Sequence, residues 1–308
     1  MKNKASILVF LENKPFLGRQ ISQIPFFEHL KLFFPEHQVI GISPNKKSSE
    51  ILEYFKLMDE VLYYDEIKNN IKKNIELLRF IKAQRPQILF QLRKNSDRYN
   101  IISRFIKCQK KIGFKSTTSF LLSESHQFEM SKYVSYNYMK LLNLNEIYTK
   151  RPVEEIYNRC VIIPIAGGPR KVYPISKYIE ICHEIEKILP VTFIIQSKYS
   201  EIKKILLSNF SKNKILCNID LKTLKDYILH SKIVLSNDCG PVHFAHIYNI
   251  PRIILYKDKG DKIGGPISQW FNDTEEAVKI VSKTGNIDDI EVYQITNTFK
   301  TLYSNLYE

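Results

Sequence analysis

Short apolar runs alternate with segments in which apolar residues recur every three or four positions, and this alternation continues along most of the chain. A short apolar run bounded by polar residues predicts a buried strand, and the longer spacing predicts an amphipathic helix. In the first half, the predicted strands are Ile7–Leu11, Val39–Ile42, Val61–Tyr63, Ile88–Leu92 and Lys111–Gly113. The predicted helices between them are Pro25–Phe34, Ser48–Lys56, Ile71–Gln84 and Tyr99–Cys108. Strands that alternate with helices are typical of a parallel sheet covered on both faces, so the sequence predicts an α/β fold.

The alternation lapses near the middle of the chain. The polar segment Asn143–Asn158 is the predicted linker, and a second series of strands begins after Cys160. These predicted strands are Val161–Pro164, Thr192–Gln196, Ile215–Asn218, Ile233–Leu235 and Ile253–Tyr256. With 308 residues, 44% of them hydrophobic, the chain is long enough for two domains that each have a core.

The segment Ser236–Tyr256 indicates a phosphate site, because a predicted strand ends there in polar residues and glycine before a helix begins. Asn237 or Asp238 is the predicted cap of that helix, and Gly240 supplies a turn before its first positions. Unpaired backbone N–H groups at a helix start attract anions such as a pyrophosphate. His243 in the first turn is expected to face the ligand, whereas we interpret His246 as a packed residue. The alternative is a strand, turn and helix that bind nothing.

A second segment upstream has the same order of strand, polar turn and helix. Gly167 and Gly168 follow a predicted buried strand and allow a ligand to approach the backbone, while Arg170 and Lys171 bring positive charge. A glycine turn flanked by solvated cations is the alternative interpretation.

Together these two segments resemble the C-terminal half of glycosyltransferase family 9, the lipopolysaccharide heptosyltransferases of the GT-B fold. Members carry a glycine-containing loop followed by Lys, an aromatic residue and Pro, and Lys171, Tyr173 and Pro174 match that order. The family's motif Asp-Thr-Gly-Pro-x-His-x-Ala matches residues 238–245, where only the Thr is changed, to Cys239.

The resemblance implies two Rossmann-like domains facing each other across a cleft. Residues 1–150 would bind the acceptor, residues 151–285 would bind the nucleotide sugar, and a terminal helix in residues 286–308 would pack back toward the first domain. It implies inverting, metal-independent transfer of heptose or a related sugar from a donor such as ADP-heptose to the core of lipopolysaccharide or lipooligosaccharide, with no further cofactor. Lys171 and Asp238 would take part in catalysis. The implied donor-binding residues are Gly167, Gly168, Arg170, Lys171, Glu201, Asp238, Cys239, Gly240 and His243.

The first half departs from the family at the expected general base. Where the family has Gly-Asp, this chain has Gly18 followed by Arg19, and a guanidinium cannot accept a proton at neutral pH. Glu12, Glu28 and Asp97 are weaker candidates for the base, and each is also compatible with an ordinary surface carboxylate. Three explanations stay open: another carboxylate is the base, the acceptor differs, or the chain is a catalytically silent binding protein. A nucleotide-sugar epimerase of the same architecture is a further alternative.

The composition of the chain limits the classes of partner that we expect it to bind. The net charge of +14 indicates anionic partners. The cations are spread along the chain without a nucleic-acid-binding signature, so we expect a nucleotide sugar and a phosphorylated glycolipid at the inner membrane surface rather than nucleic acid. Five cysteines without paired spacing favour a reducing cytoplasm. No segment approaches the roughly 20 apolar residues of a membrane span, so any contact with the membrane is expected to be peripheral. We also expect a monomer located in the cytoplasm or on the inner face of the membrane.

Overall fold

The computed structural model describes residues 5–12, 14–63, 71–94, 97–147, 151–258, 260–261 and 265–308. The chain divides into two compact units, Met1–Tyr148 and Thr149–Glu308. Each unit contains a six-stranded sheet in which all neighbouring strands are parallel. The predicted α/β class is therefore confirmed.

The sheet of the first unit has the strand order β3-β2-β1-β4-β5-β6. Its strands are β1 Ser6–Phe10, β2 Gln38–Ser43, β3 Glu60–Tyr63, β4 Pro86–Gln91, β5 Lys110–Phe114 and β6 Glu124–His126. The helices are α1 Leu17–Ile21, α2 Ile24–Phe33, α3 Glu50–Tyr54, α4 Ile71–Ala83, α5 Asp97–Arg104 and α6 Val134–Lys140. β1 is central and buried at every residue, and four of its five residues are the apolar run Ile7–Phe10.

The sheet of the second unit has the strand order β14-β11-β10-β7-β8-β9. Its strands are β7 Tyr157–Ile163, β8 Val191–Ile195, β9 Ile215–Cys217, β10 Ser231–Asn237, β11 Arg252–Tyr256 and β14 Ala277–Val281, and the hairpin strands β12 Gly260–Asp261 and β13 Gly265–Pro266 lie outside the sheet. The helices are α7 Ile175–Ile185, α8 Ser200–Asn209, α9 Leu221–Leu229, α10 His243–Ile247 and α11 Val292–Tyr307.

The predicted linker Asn143–Asn158 is wrong at its end, because β7 begins at Tyr157. The Tyr157 backbone N–H donates to the carbonyl of His230 at 2.7 Å, and its ring stacks on the His230 ring at 5.0 Å. These two contacts pair the start of β7 with the start of β10, so that a polar sequence is held as a strand.

The terminal helix α11 packs on α7 within the second unit. Its buried stripe consists of Ile295, Thr296, Phe299 and Leu302. The expected contact between residues 286–308 and the first domain stays a prediction. In the part of the chain that the structure describes, every helix falls short of the length and apolar character needed to cross a bilayer.

Candidate donor site

The sheet of the second unit brings the two motif segments together. β7 and β10 are neighbouring parallel strands, with Ile163 paired to Ser236, so the loops that follow them leave the same edge of the sheet. Across this edge, Lys171 Nζ donates to Asp238 Oδ2 at 2.7 Å. Two residues separated by 67 positions thus form an ion pair that joins the glycine-containing loop to the end of β10.

The glycine-containing loop presents an open surface beside this ion pair. A methyl group added at Gly167 or Gly168 would meet no atom within 4 Å. Gly168 has extended backbone angles, φ −148° and ψ 150°, which any residue adopts. Neither internal packing nor backbone strain therefore requires glycine at residue 168. Because Gly168 has no side chain, the space next to Lys171 stays open.

Tyr199 fixes the start of the glycine-containing loop. Its hydroxyl donates to the carbonyl oxygen of Ala166, the residue before Gly167. Tyr199 lies immediately before α8, which follows the neighbouring strand β8. Sequence reasoning missed this residue, because the bond depends on β8 lying beside β7.

Asn237 connects the end of β10 to the start of α7. Its fully buried Oδ1 accepts hydrogen bonds from the Tyr173 backbone N–H at 3.3 Å and from the Tyr178 hydroxyl at 3.1 Å. The Tyr173 hydroxyl donates in turn to the carbonyl of Ile290 at 2.8 Å. The aromatic residue of the Lys-x-aromatic-Pro sequence is thus a core residue, and it supports the turn that carries Lys171.

The predicted capping of the helix after β10 is wrong. α10 has only five residues, its N-cap is Val242, and no side chain caps it. Asn237 and Asp238 lie before that N-cap in the chain, and their side chains bond to the tyrosines and to Lys171 instead. Within the described residues, the backbone N–H groups of Cys239 and Gly240 donate to no protein acceptor.

Cys239 occupies the one position that departs from the family's second motif. Its Sγ lies 3.2 Å from Ser236 Oγ. Burial raises the pKa of the Cys239 thiol to about 12. The side chain is therefore a protonated thiol at neutral pH, and it fills the space under the loop as a small, weakly polar group.

The two histidines of α10 are both buried. His243 is 5% exposed, and its ring lies edge-on to Trp270 at 6.2 Å and 5.4 Å from the His246 ring. A contact between His243 and the donor stays a prediction. His246 is fully buried, and its Nδ1 accepts from Arg252 Nε at 2.8 Å. Burial, followed by the charges of Arg252 and His243, lowers the pKa of His246 well below 6.5, which fits the interpretation of this residue as packed and neutral.

Arg252 holds the base of α10 and was not recognised in the sequence. It is fully buried and donates to the carbonyls of Ala245 at 3.3 Å, Ile250 at 2.9 Å and Asn272. This guanidinium ties the helix to the loop before β14. A buried arginine that donates to three backbone carbonyls and to the side chains of His246, Asn249 and Thr274 has no signature in the sequence beyond its place at the start of an apolar strand.

The remaining predicted donor residues, Arg170 and Glu201, are exposed. Arg170 lies on the same short turn as Lys171, Pro169–Lys171. Glu201 lies in the first turn of α8 and pairs with Lys204 at 2.9 Å, with 77% of its side chain exposed. Because Tyr199 ties the start of α8 to Ala166, Glu201 lies on the same edge of the sheet as the glycine-containing loop.

In the first unit, Arg19 forms an ion pair with one of the candidate bases. Arg19 Nη1 lies 3.4 Å from Glu12 Oε2, and the two side chains are 19% and 9% exposed. Glu12 follows β1, and Arg19 lies in α1. The buried Tyr138 hydroxyl lies beside this pair. Burial, together with the Glu12 charge, raises the pKa of Tyr138 well above 10.0.

The other two candidate bases have different surroundings. Asp97 accepts from the Thr118 backbone N–H at 2.9 Å and from the Thr118 hydroxyl at 2.7 Å, and these bonds lower the pKa of Asp97. It therefore anchors the loop after β5. Glu28 is half-buried within α2. No group of three or more His, Cys, Asp or Glu side chains in the described ranges could hold a metal ion.

A comparison with known protein families supports the resemblance that the two motif segments predict. Residues 153–276, which lie in the second unit, match the family model described as glycosyltransferase family 9 (heptosyltransferase). The resemblance predicted from the two segments is confirmed by this match. No curated protein sequence matches the chain.

Solved structures match both units. The E. coli heptosyltransferase WaaC with ADP gives a TM-score of 0.72 at 10% identity, covering 96% of this chain and 99% of that chain. A glycosyltransferase of family 9 from Veillonella parvula gives 0.68 at 16% identity, covering 99% of each chain. E. coli ADP-heptose lipopolysaccharide heptosyltransferase II gives 0.65 at 16% identity, covering 97% of this chain and 99% of that chain. At these identities the likeness shows the fold, and it confirms the predicted GT-B fold.

Proposed function

We propose that this chain, whose second unit matches glycosyltransferase family 9, transfers heptose or a related sugar from a nucleotide diphosphate donor to the core of lipopolysaccharide or lipooligosaccharide, with inversion and without a metal. The observation that carries the proposal is the contact between Lys171 and Asp238 beside the open glycine-containing loop. ADP-heptose is the donor we would test first, because structures of WaaC with the same fold contain ADP and ADP-2-deoxy-2-fluoro heptose.

The donor diphosphate would bind in the space that Gly167 and Gly168 leave open. The Lys171 side chain is 45% exposed, so its ammonium group is accessible to a phosphate while Asp238 restricts its position. The backbone N–H groups of Cys239 and Gly240 would supply further donors. Charge-assisted hydrogen bonds from such groups stabilise the negative charge that develops on the leaving diphosphate.

Asp238 would have two roles in this arrangement. Its carboxylate orients Lys171 before the donor binds, and it would accept a hydrogen bond from a sugar hydroxyl once the ammonium group engages the phosphate. The side chain is 23% exposed, which leaves part of the carboxylate accessible.

The first unit would bind the acceptor, and Glu12 is the carboxylate we assign as general base. Inverting transfer requires a group that accepts the proton of the acceptor hydroxyl as the new bond forms. Arg19 lies where the family's motif has its Asp, and it holds the Glu12 carboxylate at 3.4 Å. The charge pair would thus restore a fixed carboxylate near that position. We expect the acceptor to be reached at the cytoplasmic face of the membrane.

The experiment is to incubate the purified protein with ADP-heptose, with and without a deep-core lipopolysaccharide acceptor, and to measure ADP release. Release that requires the acceptor supports the proposal. Donor binding without release with any core acceptor would instead indicate a silent binding protein, the alternative that Arg19 keeps open. Conversion of the free nucleotide sugar without acceptor would indicate an epimerase.

Lys171→Ala tests the assigned site within that assay. Loss of a charge-assisted contact of roughly 1.5–3 kcal/mol should weaken donor affinity by about tenfold or more and lower turnover. Arg170→Ala is the matched control. It removes a cation from the same turn, whereas the ion pair with Asp238 is formed by Lys171. We expect a smaller effect from it. Equal donor affinity in wild type and Lys171→Ala, measured by calorimetry, would remove the assigned role of Lys171.

A further inference from the structure

One face of the first unit exposes large apolar side chains on helix α5 and on the turn beside it. Ile101 is 49% exposed, and Phe105, four residues later and directly after the helix, is 58% exposed. Phe120 is 79% exposed on the turn Ser119–Leu121, which contacts α5. We call Ile101, Arg104, Phe105, Lys107 and Phe120 the α5 patch.

The exposure follows from how α5 is anchored to the unit. Tyr99, Asn100 and Ser103 form its buried side, and Ile106 is buried just after the helix. Residues at positions 101, 104 and 105 fall on the opposite side, because neighbours on a helix surface are three or four positions apart. Thr118, which binds Asp97, and Ser116, which accepts from Asn100 Nδ2 at 3.0 Å, hold the following turn against the helix. The apolar side chains are thus presented by a fixed surface.

The chain segment that carries the patch is strongly basic. Residues 98–123 contain six cations, Arg98, Arg104, Lys107, Lys110, Lys111 and Lys115, and no Asp or Glu. Arg104, Lys107 and Lys115 are exposed. Two carboxylates border this range: Asp97 accepts a hydrogen bond from Thr118, and Glu124 lies 2.8 Å from His126. The patch therefore complements an anionic surface.

The exposed apolar side chains among these cations distinguish between two classes of anionic partner, a nucleic acid and an anionic lipid bilayer. A nucleic acid phosphate backbone would use the cations and would leave the apolar side chains largely in water unless bases were unpaired. An anionic bilayer uses both, because apolar side chains enter the boundary between headgroups and acyl chains while Lys and Arg remain at the phosphates. The combination of Ile101, Phe105 and Phe120 with Arg104 and Lys107 thus fits a bilayer.

We propose that the α5 patch docks the protein on the surface of an anionic lipid bilayer. Phe105 and Phe120 insert at the interface, and Arg104 and Lys107 contact lipid phosphates. This docking does not depend on sugar transfer, since no residue of the patch belongs to the site proposed for the donor. Its failure and the failure of the proposed function are therefore separate results.

The experiment is cosedimentation of the full chain with vesicles made from roughly seven parts zwitterionic to three parts anionic phospholipid. Wild type should bind these vesicles, and binding should fall steeply with salt and be much weaker on vesicles of zwitterionic lipid alone. Phe105→Ser with Phe120→Ser should reduce the partition coefficient by about tenfold or more. Arg104→Gln with Lys107→Gln should reduce it by about 25-fold, about fivefold for each cation.

Matched controls lie on the second unit. Tyr293→Ser removes an aromatic side chain that is 78% exposed, and Lys212→Gln with Lys222→Gln removes two exposed cations. These variants should bind the anionic vesicles as wild type does to within about twofold, and circular dichroism should show that every variant is folded. Equal vesicle binding by wild type and both patch variants would overturn the proposal. So would a DNA or RNA oligonucleotide that competes fully with the vesicles and loses affinity in the same variants.

Discussion

The buried ring of His246 predicts how the stability of the second unit depends on pH. Its Nδ1 accepts a hydrogen bond from the fully buried Arg252, so a proton on that nitrogen would break the bond and place two cations 2.8 Å apart. Burial and the Arg252 charge lower the pKa of His246 well below 6.5 in the folded chain. The perturbation we propose is acidification, with His246→Asn as the comparison.

The sign and size follow from linkage between protonation and folding. The folded state excludes the proton while the unfolded chain binds it with a pKa of about 6.5, so stability is lost as pH falls below that value. At about pH 7.5 the effect is close to zero. At about pH 5 the unfolded chain gains roughly 2 kcal/mol from protonation of this one residue, since each unit of pH below its pKa contributes about 1.36 kcal/mol.

Urea unfolding followed by tryptophan fluorescence measures this quantity. Trp270 is the single tryptophan of the chain, and it contacts the ring of His243, so its signal reports on the second unit around α10. His246→Asn removes the titrating ring and retains an oxygen that can accept from Arg252. Wild type should therefore lose about 2 kcal/mol more than the variant between about pH 7.5 and pH 5.

The comparison of slopes separates His246 from the titrating groups that it does not contact. Distant carboxylates and histidines contribute equally to wild type and variant, so they cancel in the difference, whereas the coupling to the neighbouring His243 ring stays within the His246 effect. His183→Asn is the matched control, because its side chain is exposed, and it should leave the wild-type slope unchanged. Parallel pH dependence in wild type and His246→Asn would refute the reasoning, whatever the stability of either protein at neutral pH.

Two further predictions concern the two sides of the proposed reaction. Gly168→Ala should change the free energy of unfolding by less than about 0.5 kcal/mol, because its methyl group meets no protein atom, and it should weaken donor affinity by about tenfold if the diphosphate occupies that space. Thermal unfolding and calorimetric titration with donor measure both quantities, and unchanged affinity would place the phosphates elsewhere. Glu12→Gln should lower kcat by at least about 100-fold with little change in donor KM, because an amide cannot accept the proton. Glu28→Gln is its matched control, and full activity in Glu12→Gln would exclude the assigned base.

The sequence pattern predicted the central strands and the edge strands β3 and β9, but it missed the edge strands β6 and β14. β1, β7, β10 and β11 were found because each contains an apolar run of at least three residues that is buried. The strand β6 was missed, since its sequence Glu-Ser-His is only partly buried at the edge of its sheet. An edge strand has one partner and less apolar contact, so its sequence carries a weaker signal.

The contacts within the candidate site also could not be predicted from the sequence alone. Lys171 and Asp238 were identified from two separate motifs, but their contact depends on the strand order that makes β7 and β10 neighbours. The error over helix capping has a local cause. Asn237 and Asp238 are good capping residues by type, but their side chains bond to Tyr173, Tyr178 and Lys171, which lie in the neighbouring loop and in α7. Side-chain type alone could not decide between these partners.

Arg19 shows why a departure from a motif has to be considered together with its contacts. On sequence alone the arginine removes the expected base, and it leaves open another base, a different acceptor or a silent binding protein. In the structure it approaches Glu12, whose side chain is only 9% exposed and would be costly to bury as a lone carboxylate. The positive charge of Arg19 thus lowers the free-energy cost of burying the Glu12 carboxylate. An Asp at residue 19 would repel that carboxylate instead. Arg19 and Glu12 therefore have to be considered as an ion pair. Arg19 is compatible with sugar transfer when the Glu12 carboxylate reaches the acceptor hydroxyl.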